Sequence, residues 1–295
     1  MAKYSAAKFR RRLIQERIRI LQKIDLRTID DDALERQVRK LLGAGYISRL
    51  LQINKAKLYR VRINDGTKLF ENTKRLWWPP PECVKSRSRI NNVGESVFYG
   101  GDSESTCIIE TRPEAGDTLT LLEVDLKDPT KLPLITEVGI HQYTGKSNPK
   151  YGGTPPELDV SQREFIAHEG LTDTIPLLRD YITEEFLRTV ARDNEHEYKI
   201  TTAIAQILLN EPGIVTEQGI PVNDAVIDGI SYPSIAGDKL GVNTAFKTEA
   251  VDRLYKPVSC IVYEVKEKKS EVNYIIDRIN YSVSIDTDGT IHWAS

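Results

Sequence analysis

Glu110 stands directly after an apolar run, Cys107-Ile108-Ile109. A carboxylate in that position caps a helix, pairs with a cation or works in a cleft. The stretch that leads to it, RSRINNVGESVFYGGDSESTCIIETR from Arg87 to Arg112, divides into local signals. Arg89, Asn91, Asn92 and Gly94 read as a polar turn. Val97-Phe98-Tyr99 is a β-branched and aromatic run that favours a strand, and Gly100-Gly101-Asp102 punctuates it. A helix or strand then carries the acid inward. Other routes to chemistry are missing from the sequence. There is no Gly-rich phosphate loop before a helix, no Walker pattern, no dinucleotide fingerprint and no Gly-x-Ser-x-Gly elbow. His141, His168, His196 and His292 show no ligand spacing, and Cys83, Cys107 and Cys260 form no CxxC or Cys/His cluster. The sequence therefore argues for an enzyme that needs neither a metal nor a bound cofactor.

A family resemblance rests on an ordered set of segments. These are Leu58-Tyr59-Arg60-Val61, Ser88-Arg89-Ile90-Asn91-Asn92-Val93-Gly94, Val97-Phe98-Tyr99, Glu110, and Gly229-Ile230-Ser231-Tyr232-Pro233-Ser234. In order and approximate spacing the set resembles the RES domain, named for an arginine, a glutamate and a serine far apart in sequence. The resemblance covers residues 56 to 266. Two positions depart from the family pattern: Ser88 stands where the family has Gly, and Ile90 where it has an aromatic residue.

The resemblance implies an enzyme that attacks NAD at the bond between nicotinamide and ribose, with NAD as substrate and no cofactor. The leaving group is already cationic and departs as a neutral ring, so little acid catalysis is needed. Positive charge on the ribose must be opposed instead, which a fixed carboxylate does by preorganised electrostatics. Glu110 is the carboxylate the resemblance selects. Arg60 and Arg89 are its candidates for the phosphates, because a guanidinium fork suits phosphate oxygens. Arg60 is the stronger of the two, and Arg89 serves equally to hold its turn together. Tyr99, and more weakly Tyr59, would stack on the nicotinamide. Ser234 would orient Glu110 or contact the ribose, with Ser231 in its place if the alignment shifts. Water, phosphate or a macromolecule remains open as acceptor. Family members are often toxins of toxin–antitoxin systems, which implies an antitoxin or other regulatory protein as partner. Protein ADP-ribosyltransferase activity, and a non-catalytic nucleotide- or partner-binding module, are the alternative readings.

The supporting elements follow from pattern. The implied fold is α+β, ADP-ribosyltransferase-like, with a mixed, mostly antiparallel sheet, flanking helices and an N-terminal helical extension. Residues 1–55 are expected as the helical region and 56–295 as the catalytic domain. Apolar residues at helical spacing over 5–27 and the Asp30-Asp31-Asp32 start of a second helix predict a helical hairpin through residue 51. Strands are expected near 58, 97, 120, 228, 260 and 275. Arg60 and Arg62 should share one strand face, with Leu58, Tyr59 or Val61 facing away. A short strand is expected within 132–138 and a hairpin around Asp288-Gly289. Residues 158–211 should be helical, 64–86 an irregular loop with Trp77 and Trp78 as anchors, and 141–157 a long loop. A formal net charge of -2 and a pI near 6.2 argue against nucleic acid as a partner by bulk electrostatics. The start lacks the apolar core of a signal peptide and no run approaches a membrane span, so a cytoplasmic protein without a membrane partner is expected.

Overall fold

The computed structural model describes residues 2–46, 48–52, 57–140, 174–191, 193–211, 226–236 and 241–295. The expected loop 141–157 and the helical stretch 158–173 lie outside the described residues.

The described chain is α+β. Helices α1 (Ala2–Lys23) and α2 (Asp31–Leu42) precede strands β1 (Arg49–Gln52), β2 (Leu58–Ile63) and β3 (Val97–Gly101). Then come α3 (Glu104–Thr111), β4 (Thr118–Leu126), β5 (Leu134–Glu137), α4 (Ile175–Leu187) and α5 (Lys199–Asn210). The chain ends with β6 (Gly229–Pro233), β7 (Val242–Lys247), α6 (Thr248–Leu254), β8 (Tyr255–Ser270), β9 (Asn273–Ile285) and β10 (Ile291–Trp293). The strands form one mixed sheet in the order β1-β5-β6-β7-β3-β2-β4-β8-β9-β10. Its described pairings are antiparallel except β5 with β6.

Local chemistry explains several boundaries. Asp30 caps α2 by accepting from the Ala33 N–H at 3.1 Å, and Asp31 and Asp32 add negative charge to its first turn. Gly43 is the C-cap of α2, and the chain then turns into β1. This corrects the expected hairpin through residue 51: Arg49–Gln52 pair antiparallel with Leu134–Glu137, because the outer edge of β5 offers main-chain partners there. The strand β7 adds an element that the list of expected strands omitted. The tail forms two long strands, with β9 running unbroken to Ile285 before the turn at Gly289. The loop 64–86 is anchored by its tryptophans. Trp77 and Trp78 both donate from Nε1 to Asp252 Oδ1, at 2.6 and 3.1 Å, and Trp77 packs on Phe98 with ring centroids 5.2 Å apart.

Two large cores lie on opposite sides of the central strands. One joins Ile14, Leu21, Leu34 and Val38 to Leu178, Phe186, Ile204 and Ile230, so the N-terminal helices share a core with α4, α5 and β6. The other joins Leu58 and Phe98 to Leu122, Phe246 and Tyr255. Val61 instead packs with Ile108 and Leu119. Leu58 therefore lies on the Arg60 face of β2, not opposite it, as a period of two requires. Among the described residues no helix is long and apolar enough to cross a membrane.

The sheet is forked at its centre. β2 pairs with β4 from Leu58 to Ile63, and β3 pairs with β7 from Val97 to Gly101. Between β2 and β3 the only paired position is Tyr59 with Gly101. Beyond that point the two halves of the sheet diverge.

Candidate active site

A cleft of about 330 Å³ opens at this fork. Arg60, Arg89, Tyr99, Glu110, Tyr232 and Asn243 are among its lining residues. The first four come from segments separated by loops and turns, and the fold brings them to one wall system.

Glu110 reaches the cleft from the last turn of α3. Ser103 caps that helix, its Oγ accepting from the Thr106 N–H at 3.2 Å. The helix ends at Arg112, whose φ of 49° stops it in the left-handed conformation. The apolar residues before Glu110 face the sheet: Cys107 and Ile108 are buried, and the Cys107 thiol donates to the Tyr59 carbonyl at 3.0 Å. Gly101 allows this approach, since a Cβ there would lie 2.7 Å from Cys107 Sγ. Gly101→Ala is therefore expected to push α3 away from the fork, with about 1–3 kcal/mol lost in stability and a larger proportional loss at the site. Thermal unfolding and ligand binding on the same preparation check it; unchanged melting would show that α3 absorbs a methyl group freely.

The Glu110 carboxylate is held through one oxygen. Oε1 accepts from Ser234 Oγ at 2.6 Å and from Asn243 Nδ2 at 2.7 Å. No cationic side chain among the described residues pairs with Glu110. Ser234 is fully buried beyond the end of β6. Ser231 instead shares a hydrogen bond with Thr244 Oγ1 at 2.6 Å inside the sheet, so Ser234 is the serine that meets the acid.

Arg60 reaches across the fork. Its Nη1 donates to the Tyr99 carbonyl at 2.8 Å, and the guanidinium lies 5.4 Å from the Phe98 ring centroid. Its Nε is buried with no hydrogen-bond partner, and no described carboxylate pairs with it. Burial, with the like charge of Arg62 second, pushes the guanidinium down to about 10, which leaves it protonated at neutral pH.

Arg89 is 8% exposed and ties its turn to the end of α4. It donates to the carbonyls of Glu185 and Arg188 at 3.3 and 3.1 Å, and lies 5.3 Å from the Tyr198 ring centroid. Its guanidinium thus braces one wall of the cleft. Helix α5 supports the same turn, with Thr202 Oγ1 donating to the Ser88 carbonyl at 2.8 Å. The Tyr99 hydroxyl shares a 2.5 Å hydrogen bond with Ser88 Oγ and donates to Asn91 Oδ1 at 3.0 Å. Burial pushes this phenol up to about 12, so it stays neutral and offers a ring face rather than a base. Ser88 and Asn91 together thus hold the Tyr99 hydroxyl. Tyr59 is not among the residues that line the cleft; its carbonyl instead accepts from the Cys107 thiol beneath α3.

Asn243 and Tyr232 are the site residues that sequence reasoning missed. Both sit on buried strands, Asn243 at 9% exposure and Tyr232 at 6%. The available signal was a polar pair, Asn243-Thr244, inside the apolar frame Val242 and Ala245-Phe246. Among the described residues no cluster of His, Cys, Asp and Glu is suited to a metal ion. Compared with protein-family models, curated proteins and solved structures, the chain matches none.

Proposed function

We propose that the protein is an NAD-consuming enzyme of RES type, with an ADP-ribosyltransferase-like arrangement of its sheet, that cleaves the bond between nicotinamide and ribose. One observation carries this reading. Arg60 and Glu110 line one cleft, neither has an ionic partner among the described residues, and they do not pair with each other. An unpaired charge held partly out of water is unfavourable in a free protein, and each becomes favourable when a ligand supplies its counter-charge. NAD offers both at once: an anionic diphosphate, and a ribose that becomes cationic as the ring departs.

The chemistry follows from these groups. The C1′–N bond breaks and its electron pair leaves with nicotinamide, which becomes neutral. The ribose carbon is left with oxocarbenium character, and the Glu110 carboxylate opposes that charge across the cleft. Because Oε1 is occupied by Ser234 and Asn243, Oε2 is the oxygen available to the sugar. Arg60 retains donors for phosphate oxygens. The Tyr99 ring, its hydroxyl held by Ser88 and Asn91, provides a flat surface for nicotinamide. The acceptor then adds to C1′ and loses its proton. A toxin role with a cognate antitoxin belongs to the same proposal and rests on the resemblance alone.

The test is chromatography of NAD incubated with purified protein, in water, with phosphate, and with cell extract. Free nicotinamide is expected, and the fate of the ADP-ribosyl group identifies the acceptor. Intact NAD in all three conditions, with binding retained, would replace this reading with that of a nucleotide-binding module.

A further inference from the structure

Two neutral donors converge on Glu110 Oε1, and one of them belongs to no motif in the sequence. The Asn243 amide lies 2.7 Å from that oxygen, and Ser234 Oγ lies at 2.6 Å on the same atom. Asn243 is nearly buried in β7, where its strand neighbours are Gly101 on β3 and Tyr232 on β6. This register is fixed from both sides, and the next backbone links repeat it: Ser234 N–H donates to the Gly241 carbonyl at 2.8 Å, and Asp102 N–H to the Val242 carbonyl at 3.1 Å. The hairpin of β6 and β7 therefore carries both donors, Asn243 within the paired part of β7 and Ser234 just beyond the end of β6. Glu110 itself comes from a helix on a different part of the chain.

We infer that Asn243 is a positioning residue for Glu110: it fixes which carboxylate oxygen faces the cleft, and it does so with a neutral donor that leaves the charge of the carboxylate uncancelled. The inference rests on the NAD-cleaving reading for its kinetic consequence, but not for its electrostatic one. A cation beside Glu110 would also hold it ionised, yet would cancel the charge that a cationic sugar needs. An amide N–H and a hydroxyl stabilise the anion by hydrogen bonding and leave its full charge available. Ser234 cannot do this alone, since a hydroxyl donates a single hydrogen. With both donors on Oε1 the carboxyl group cannot rotate without losing two hydrogen bonds at once.

The experiment reads the Glu110 carboxyl directly. Protein carrying carbon-13 in its glutamate carboxyl groups is titrated by NMR, with the Glu110 resonance assigned by its loss in Glu110→Gln. Asn243→Leu, similar in size and without a donor, is expected to raise the Glu110 pKa by about one unit, the scale of one charge-assisted hydrogen bond. Asn243→Asp, closer still in shape, should raise it further, because it adds a like charge. The acid limb of the pH profile of nicotinamide release should move upward by the same interval, with kcat reduced and KM little changed. A Glu110 pKa unchanged in both folded variants would overturn the inference. Should either variant fail to fold, Asn243→Ser, which keeps a shorter donor, is titrated in its place and should give a smaller upward shift; no shift there would overturn the inference too. If the wild type releases no nicotinamide, the NAD reading fails, while the carboxyl titration still decides the role of Asn243.

Discussion

Glu110→Gln is expected to lower nicotinamide release by about two to three orders of magnitude, the range found for single preorganised electrostatic groups. The substitution is nearly isosteric. The retained carbonyl oxygen can still accept from Ser234 and Asn243, so the helix end keeps its anchor. What disappears is the negative charge facing the sugar. That interaction is made mainly in the transition state, so turnover should fall while the apparent affinity for NAD changes little. The melting temperature should change only slightly, because no ion pair is broken. A structural role predicts otherwise. If the acid served only to tie α3 to the hairpin of β6 and β7, the same substitution would leave turnover per folded molecule intact, whatever it did to the melting temperature. Thermal unfolding and nicotinamide release measured on one preparation separate the two.

Much of the frame behind Glu110 is legible in the chain because its signals are local. Asp30 announces α2 by capping chemistry, and Leu58–Ile63 and Val97–Gly101 are strands of the kind their β-branched and aromatic residues favour. The run before Glu110 is too short to choose between helix and strand by period, and the Ser103 cap decides for helix. Other features depend on distant partners. Arg89 reads as either a ligand residue or a brace, and its brace is a pair of carbonyls at the end of α4. Ser231 and Ser234 are equally eligible in sequence, and only the β6–β7 register turns one to Thr244 and the other to Glu110. Asn243 looks like an interruption in an apolar strand. Its meaning appears only when β3, β7 and α3 come together. The four-residue β1 has too little pattern to stand out, and it forms because the edge of β5 is there to receive it.

Arg60→Met should weaken binding of NAD, and of ADP-ribose, by about ten- to a hundredfold, the range of one or two hydrogen bonds to a charged group. ADP-ribose is the better probe, since it carries the diphosphate and cannot lose nicotinamide. The effect on stability should be small, for a physical reason. In the free protein the guanidinium is buried beside Phe98 with an unpartnered Nε, so its removal relieves desolvation. Against that gain stands the loss of the 2.8 Å hydrogen bond to the Tyr99 carbonyl, which bridges the fork. Methionine keeps the unbranched stem that packs along β2. These contributions oppose each other, and the melting temperature should stay within a few degrees of the wild type. Arg60→Lys should bind ADP-ribose with intermediate affinity, because it keeps the charge and loses the planar fork. Were Arg60 only a brace between β2 and β3, the methionine variant would melt earlier and bind ADP-ribose as the wild type does. Calorimetric titration and thermal unfolding of the two variants therefore give opposite patterns for the two roles. A guanidinium left without a carboxylate in the free protein is favourable only when an anion arrives, which is why binding should carry the loss.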